Sequence, residues 1–462
     1  MGIDIIIEIP KNSRIKYEKD ETTGKIRCDR YLKTPFNYPY NYGYIPNTLA
    51  PDNDPIDVFV LMDEPLYPGT IISVTILGAF EMIDNGESDD KMIAIPSENP
   101  MESDPRPGHR EQEIGEYYLE QMHELGMTVA SREAAPGRPN VFGTRAGNQD
   151  RPSLMLCGHL DTVPTEGYDD PYTPHEKNGR IYGRGSCDMK AALACYLEVA
   201  RLLRDADVSL SGSLILCGVA DEEWQMIGSR EIGRNGPFAD QCIIGEPSDL
   251  SVCPAHKGQF GLFIRTFGKA VHSSIPEQGE NAIERMARVV NALSDYNEEL
   301  ASREPHPLCG HGTYSPGVIR GGDLASAVPD YCELEIDRRV LPSDEAEQVR
   351  HDIAARLEPL RQEDPGFRYE LSEPSWDILA NDLPVESPVV QSLLNASADL
   401  TGRPECARSF PGATDAPHLK TPAVVCGPGS LSQAHSINEF VEIEQCVRAT
   451  RMYLRAVTDL IA

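Results

Sequence analysis

Hydrophobic residues in the first hundred positions occur in short, β-branched runs separated by turns rich in Pro, Gly, Asn and Asp. Five of these runs predict strands: IDIIIEIP, IRCDRYL, IDVFVLM, TIISVTILGAFEMI and KMIAIP. A series of short strands of this kind is typical of a small barrel. We therefore expect residues 1–96 to form a domain of their own, built from strands.

The hydrophobic pattern changes near residue 107, where predicted helices begin to alternate with predicted strands. The run HREQEIGEYYLEQMHELG repeats its apolar residues at helical spacing, and Gly126 ends it. MKAALACYLEVARLLRD predicts a second, buried helix, whereas NVFGTRAG, SLMLCGHLDTVP and SLILCGVADEE predict strands. This alternation predicts an α/β fold with a mainly parallel sheet.

Composition changes at the same place. Residues 1–100 contain 6 Lys, 3 Arg and 15 Ile, whereas residues 101–462 contain 5 Lys, 28 Arg and 17 Ile. No fold requires such a switch, because Lys and Arg are similar helix formers and both suit solvated surfaces. Chance or a local surface preference is the alternative, but we interpret the break as two sequences of different origin joined near residue 100.

The formal charge of -31 argues against nucleic acid and anionic membranes as partners, because both would be repelled. The start MGIDIIIEIPK carries acidic residues and does not resemble a signal peptide, and no apolar run approaches the ~20 residues of a membrane span. Twelve cysteines without a CxxC pair indicate reduced thiols. We expect a cytoplasmic protein that acts on a small molecule.

Acidic residues cluster near the predicted strand ends of the first segment. Asp52, Asp54 and Asp57 fall within six residues, and a second acidic group spans 84–90. Clustered carboxylates suit hard cations such as Mg²⁺, and nearby basic side chains suit phosphate. Acidic proteins also carry such groups in solvated turns, so the clusters alone leave both interpretations open.

The ordered motifs EIPKNSRIKYE, DRYL, YPYNYGYIPNTLAPDNDPIDVFVL and D-x4-D-x-K resemble the family I soluble inorganic pyrophosphatases over residues 3–96. The resemblance implies metal ligands at Glu8, Asp52, Asp57, Asp84 and Asp89. It implies a catalytic residue beside the attacking water at Asp54, and phosphate-binding residues at Lys16, Arg30, Tyr42 and Lys91. Because the likeness stops at residue 96, we expect a partial barrel with unpaired edges, exposed apolar surface and poor or no activity.

Polar residues follow the predicted strands of the second segment, where the loops of a parallel sheet form a crevice. They are His159, Asp161, Asp188, Glu222, Glu223, Glu246 and His435. Any one strand-end acid, taken alone, is more often a helix cap or a solvated side chain than a ligand. Together, two histidines and several carboxylates make the donor set of a two-metal site.

The motifs GHLDT, GRGSCDMK, ADEEW, GEP, GKAVHSS and GPGSLSQAHSINE resemble the M20 metallohydrolases over residues 107–462. The resemblance implies that Asp188 bridges two zinc or cobalt ions, with His159 and Glu246 at one and Glu223 and His435 at the other. Asp161 would hold the tautomer of His159, and Glu222 would act as general base. The implied reaction is hydrolysis of the amide of a small N-acyl amino acid by a metal-activated water.

The resemblance also implies an inserted α/β lid over residues 261–373, between catalytic parts at 97–260 and 374–462. His272 would stabilise the oxyanion in the partner subunit's site, so a homodimer is expected; an exposed structural histidine is the alternative. Arg339 would grip a substrate carboxylate, or else form a structural ion pair. Gly412 and Thr414, in SFPGATDAPHL, resemble the family's substrate loop.

Three functions remain open at this point. The first is the M20-type deacylase, whose acyl group the motifs do not determine. The second is a Mg²⁺-dependent inorganic pyrophosphatase in the first segment. The third is an inactive fusion. The segment IAIPSENP would have to be the end of a strand in one fold and the exit from a helix in the other, and such a conflict weakens folding.

Overall fold

The computed structural model describes residues 3–19, 25–31, 37–46, 48, 55–62, 65–80, 83–84, 87–88, 91–96, 111–149, 152–165, 167–374 and 376–462. The chain divides into two compact units, Met1–Arg106 and Pro107–Ala462. Each unit has hydrophobic clusters of its own.

The first unit contains a closed five-stranded barrel with strand order β1-β4-β5-β9-β6. Its strands are β1 Ile3–Ile9, β2 Ile15–Lys19, β3 Ile26–Tyr31, β4 Asn41–Tyr44, β5 Asp57–Val60, β6 Ile71–Phe80, β7 Ile83–Asp84, β8 Glu87–Ser88 and β9 Lys91–Pro96. The predicted barrel is thus confirmed. Because the barrel closes, the expectation of unpaired edges is wrong for these five strands.

The barrel core is small. Its fully buried members are Ile5, Ile7, Val58, Val60, Val74 and Ala94. Outside the core, Ile71 is 65% exposed and Leu77 is 58% exposed on β6. Exposed apolar surface is what we expected of a barrel whose covering elements are missing from the resemblance.

The second unit is mixed α/β, as predicted. Its helices are α1 Glu111–Glu124, α2 Lys190–Asp205, α3 Ile227–Asn235, α4 Ala282–Ala292, α5 Tyr296–Ser302, α6 Ala346–Glu363, α7 Pro388–Thr401 and α8 Ile443–Ile461, with 3-10 turns at Pro276–Gln278 and Ala416–His418. Its first strands are β10 Thr128–Ala135, β11 Arg138–Arg145, β12 Leu154–His159, β13 His175–Lys177, β14 Arg180–Tyr182, β15 Leu214–Val219, β16 Gln241–Ile244 and β17 Ala255–His256. The later strands are β18 Gly258–Phe267, β19 Val271–His272, β20 Thr313–Gly321, β21 Ala327–Val328, β22 Tyr331–Val340, β23 Arg368–Leu371, β24 Trp376–Ile378, β25 Asn381–Asp382, β26 Ser409–Phe410, β27 Ala423–Val425 and β28 Phe440–Glu442.

A six-stranded sheet of order β10-β11-β15-β12-β16-β27 forms the centre of the second unit. The four strands from β15 to β27 are parallel to one another. β11 is antiparallel to both of its neighbours, β10 and β15. Tyr118 and Met122 of α1, Tyr196 of α2 and Tyr453 of α8 pack with the sheet in one large hydrophobic cluster. β12 and β15 are fully buried, which explains their unbroken apolar sequences.

A second sheet, β20-β22-β18-β23 with β24 paired to β18, packs with α4 and α6. It begins at Gly258 and ends at Ile378, slightly beyond the expected range 261–373. The segment ENAIERMARVVNALSDYNEEL has apolar residues at helical spacing, which predicts one helix, but it forms two. The break at Leu293–Asp295 lets both Leu293 and Tyr296 be fully buried in the same core.

None of the helices in the parts of the chain that the structure describes has both the length and the apolar run needed to cross a bilayer.

Candidate metal centre

The parallel register of the central sheet brings the predicted site residues to one edge. His159 ends β12 and pairs with Val219 at the end of β15, two residues before the DEE turn. On the other side of β12, Cys157 pairs with Ile244, and Glu246 follows two residues later. Strand ends of a parallel sheet share an edge, so residues far apart in sequence become neighbours.

Asp188 occupies the middle of the cluster, and its two carboxylate oxygens face different histidines. Oδ1 lies 2.9 Å from Nε2 of His159, and Oδ2 lies 3.5 Å from Nε2 of His435. Glu246 Oε1 lies 3.7 Å from His159 Nε2, and Glu223 Oε2 lies 3.0 Å from His435 Nε2. The side chains therefore form two adjoining groups that share one carboxylate.

The donor atoms fit divalent cations. His159, Asp188 and Glu223 bring ligand atoms within 4.8 Å of one another, as do His159, Glu222 and Glu246. Glu223 Oε1 is buried and has no hydrogen-bond partner among the described residues. A buried carboxylate oxygen without a partner is costly, and a bound cation would satisfy it.

The electrostatics of the cluster favour positive charge. Burial opposes protonation of His159, but hydrogen bonds to Asp161 and Asp188 outweigh it and raise its pKa well above the ordinary value. Hydrogen bonds to Asp188 and Glu223 raise the pKa of His435 to about 10. Both shifts record an excess of carboxylate charge around the imidazoles.

Glu222 brings a ligand atom close to His159 and Glu246. Burial, followed by the charge of Glu246, raises the pKa of Glu222 well above its ordinary value. Asp415 is also buried, and burial raises its pKa to about 8. Cations bound by the neighbouring ligands would oppose the rise at Glu222 by neutralising Glu246.

Asp161 has more contacts than the sequence predicted. Its backbone carbonyl accepts a hydrogen bond from His159 Nδ1 at 3.1 Å, closer than its carboxylate at 3.5 Å. The carboxylate oxygens instead accept the backbone N–H groups of Glu222 and Glu223, each at 3.1 Å. Asp161 thus holds Nδ1 of His159, so that Nε2 faces Asp188, and it also positions the turn that presents both glutamates.

His272 lies apart from the cluster. It is exposed on β19, and its Nδ1 accepts the backbone N–H of Ser274 at 3.2 Å. Nδ1 also lies 2.8 Å from Oγ of Ser274, so both described contacts of the ring are made by Nδ1 and neither involves Nε2. No contact among the described residues joins His272 to the metal cluster, and its catalytic role stays a prediction.

The three predicted substrate-binding residues have protein partners in this structure. Arg339 Nε lies 3.1 Å from Asp337 Oδ2, the ion pair named as its alternative. Gly412 packs over the ring of Phe410, where a side chain would clash. Thr414 is fully buried, and its hydroxyl lies 3.0 Å from Nε2 of His256. Thr414 is therefore not available to a substrate here, and its role also stays a prediction.

Lys190 and His256 are polar residues of the second unit that the sequence analysis did not predict. Nζ of Lys190, at the start of α2, lies 3.5 Å from the carbonyl of Asp161, and burial lowers its pKa. His256 is fully buried, and burial lowers its pKa to about 4. Both residues lie within or beside apolar runs of the sequence. A polar residue in such a run could have indicated that its side chain is buried.

The barrel unit brings together five of its predicted residues. Lys91 Nζ contacts Asp57, Tyr42 Oη donates to the same carboxylate oxygen at 2.5 Å, and Lys16 Nζ lies 3.2 Å from Glu8. Arg30 faces Lys16 across the β2–β3 ladder, with its side chain 63% exposed.

Three predicted barrel residues, Asp52, Asp54 and Asp89, lie outside the described residues. For Asp84 the structure describes only the backbone, in β7. The predicted roles of all four stay predictions.

Comparison with family models gives two matches. The model of "Peptidase family M20/M25/M40" matches residues 155–459, and the model of "Inorganic pyrophosphatase" matches residues 5–128. The second match runs beyond residue 96, where the resemblance of the motifs ends. In the structure, however, Tyr118 and Met122 pack into the core of the second unit.

Two curated relatives each match about two thirds of the chain. An acetylornithine deacetylase of Proteus mirabilis is 37% identical over 317 residues, which span 66% of this chain and 79% of the relative. An acetylornithine deacetylase of Shigella sonnei is 34% identical over 339 residues, which span 69% and 83%.

Solved structures share the fold. A tripeptidase of Staphylococcus aureus superposes with a TM-score of 0.63 at 22% identity, covering 76% of this chain and 93% of that one. A Bacillus subtilis protein described as a dinuclear metal binding peptidase from the M20 family superposes with a TM-score of 0.58 at 16% identity, covering 77% and 94%.

Proposed function

Because the chain belongs to peptidase family M20/M25/M40 and is a hydrolase of that family, we propose that it removes the acyl group from small N-acyl amino acids, as an acetylornithine deacetylase does. The observation that supports this most directly is the position of Asp188, whose two oxygens face two different histidines. Similarity to two acetylornithine deacetylases supports the substrate class.

We assign the cluster two divalent cations, zinc or cobalt. His159 and Glu246 would hold one, Glu223 and His435 the other, and Asp188 would contact both; the unpartnered oxygen of Glu223 supports this assignment. When bound, such cations lower the pKa of a water and polarise the amide carbonyl.

Glu222 is the proposed general base. It takes a proton from the attacking water and delivers it to the amide nitrogen, so that water and amide become a carboxylic acid and an amine. Asp161 holds the backbone of Glu222 in place. His272 of a second copy would donate Nε2–H to the oxyanion, which makes the active form a homodimer. A cytoplasmic location remains a prediction.

Hydrolysis of N-acetyl-ornithine by chelator-treated protein tests the proposal. Activity should return with Zn²⁺ or Co²⁺, and Glu222→Ala should lower kcat by about 10²–10⁴-fold. Glu120→Gln, on the exposed side of α1, is the matched control and should leave kcat unchanged.

The same assay run on N-succinyl-diaminopimelate and on a tripeptide determines the acyl group. Hydrolysis of the tripeptide, without hydrolysis of either N-acyl amino acid, would contradict a deacylase and favour a peptidase. Wild-type protein without metal-dependent activity on any of the three would support the inactive-fusion alternative.

Diphosphate hydrolysis by the barrel unit is the second candidate. The observations that favour it are the pyrophosphatase model match and the cluster of Glu8, Lys16, Tyr42, Asp57 and Lys91. Its test is phosphate release from pyrophosphate in the presence of Mg²⁺. Activity that Asp57→Ala removes and Glu222→Ala leaves intact would locate it in the barrel.

A further inference from the structure

Glu439 is a fully buried carboxylate close to the metal cluster but not part of it. It ends the motif GPGSLSQAHSINE, four residues after His435, and is 0% exposed. A buried carboxylate is costly unless its oxygens are hydrogen-bonded or paired with a cation. Its partners therefore show what the residue holds in place.

Among the described residues, the hydrogen-bond donors to the Glu439 side chain come from one short segment, residues 184–188. Oε1 accepts the backbone N–H groups of Cys187 at 2.8 Å and Asp188 at 3.0 Å. Oε2 accepts the backbone N–H of Gly185 at 3.0 Å and Nη1 of Arg184 at 2.6 Å. One carboxylate thus binds three backbone amides and a guanidinium, and charge-assisted bonds of this kind are strong.

The segment held in this way presents Asp188. It connects β14 to α2 without regular secondary structure, and Gly185 has a left-handed φ of 81°. The carboxylate of Asp188 faces His159 and His435, whereas the backbone N–H of Asp188 donates to Glu439. Because His435 and Glu439 belong to the same stretch of chain, that stretch contacts Asp188 from both sides.

We propose that Glu439 is a positioning residue that sets the place of Asp188 between the two halves of the metal centre. The inference rests on the proposed function, because it assigns Asp188 to both cations. Glu439 itself touches neither a proposed metal ligand's side chain nor the space between the histidines in the described contacts. It acts through the backbone of Asp188.

The experiment uses Glu439→Gln in the full chain. The amide keeps the size of the side chain but puts an NH₂ group against backbone N–H donors that need an acceptor. We expect Zn²⁺ titrated calorimetrically into chelator-treated protein to bind the centre about 10–100-fold more weakly. kcat should fall while KM stays near the wild-type value, because Glu439 contacts no substrate in this assignment.

Two further variants separate positioning from folding. Arg184→Gln removes the guanidinium but keeps the three amide contacts, so zinc affinity should change less than in Glu439→Gln. Glu439→Asp keeps the charge but is one methylene shorter, and should bind zinc with intermediate affinity. His159→Ala gives the background of zinc bound elsewhere on the chain.

The proposal is overturned if Glu439→Gln only lowers the melting temperature and binds zinc with wild-type affinity and stoichiometry. If Glu439→Gln does not fold, wild-type zinc binding by Glu439→Asp overturns it instead. Wild-type protein that binds no zinc above the His159→Ala background would refute the proposed function itself, and with it this assignment.

Discussion

The barrel unit, Met1–Arg106, and the second unit, Pro107–Ala462, from here on the hydrolase unit, both gather acidic residues, but the described residues neutralise them in different ways. In the barrel, Lys91 contacts Asp57 and Lys16 contacts Glu8, so the protein supplies its own cations. In the hydrolase unit, four carboxylates lie within 3.7 Å of two histidines, and an oxygen of Glu223 has no partner among the described residues. Clustered acids therefore indicate a metal site most clearly where the protein leaves their charge uncompensated.

The two units also differ in the size of the core behind the site. The largest cluster of the hydrolase unit joins α1, α2, α7 and α8 to the central sheet, whereas the barrel core has six fully buried members. The largest predicted effect tests whether these cores are independent. Ile243→Ala and Ile5→Ala, both at fully buried positions, should each cost about 2–5 kcal/mol of unfolding free energy.

We expect Ile243→Ala to lie near the upper end of that range, because a large, close-packed core relaxes little around a cavity. Calorimetry should show that each variant shifts one unfolding transition and leaves the other in place. Equal shifts of both transitions by either variant would show that the two units unfold together. Thr458→Ser, at an exposed position of α8, serves as the control.

The sequence predicted the elements of both units because burial leaves regular traces. β12 and β15 are fully buried and appear as unbroken apolar runs, and α1 shows Tyr118 and Met122 one turn apart. The motif residues at the strand ends converge because parallel strands share an edge. The pattern failed at Leu293–Asp295, where a helical sequence is broken so that Tyr296 can be buried.

The anchors of the site were harder to predict. Glu439 accepts backbone N–H groups of residues about 250 positions earlier, and every residue except proline has such a group, so no residue pattern marks the contact. The closer acceptor for His159 Nδ1 is likewise a backbone carbonyl, that of Asp161. Contacts to backbone groups depend on tertiary structure and leave little signal in a single sequence.

His256 should lose its contribution to the stability of the hydrolase unit in acid, and residues 1–100 contain no histidine. Burial lowers the pKa of His256 to about 4 from an ordinary value of 6.5. The unfolded state therefore binds the proton first, so the stabilisation is complete above pH 6.5 and is lost as pH falls from 6.5 to 4. The loss should approach about 3 kcal/mol.

Urea unfolding at several pH values measures this loss, with His256→Gln as the comparison. Glutamine can keep a hydrogen bond with Thr414 but does not titrate, so the variant should lose less stability between pH 6.5 and 4 than the wild type. An unchanged pH dependence would assign the acid sensitivity to other groups, such as His418, whose pKa burial also lowers to about 4.

Zinc should stabilise one unit and not the other. At a free concentration of 100 times Kd, a ligand that binds only the folded state adds about 2.7 kcal/mol. We expect Zn²⁺ to raise the transition that Ile243→Ala lowers and to leave the transition of Ile5→Ala in place. His435→Ala should reduce the shift, because it removes a partner of Glu223. A shift confined to the barrel transition would reverse the assignment of the metal centre.

The smallest predicted effect tests whether the acidic residues of the barrel bind a metal cation once the ammonium group of Lys91 is removed. Lys91→Met removes the ammonium group from Asp57, although Tyr42 still donates to the carboxylate, so we expect a loss of about 2 kcal/mol in unfolding free energy. Mg²⁺ should recover part of that loss in Lys91→Met and have little effect on the wild type, with Lys25→Met at an exposed position as the control. Equal stabilisation of wild type and variant by Mg²⁺ would contradict this, and would show that the barrel acids bind the metal with Lys91 in place, as a working pyrophosphatase site requires.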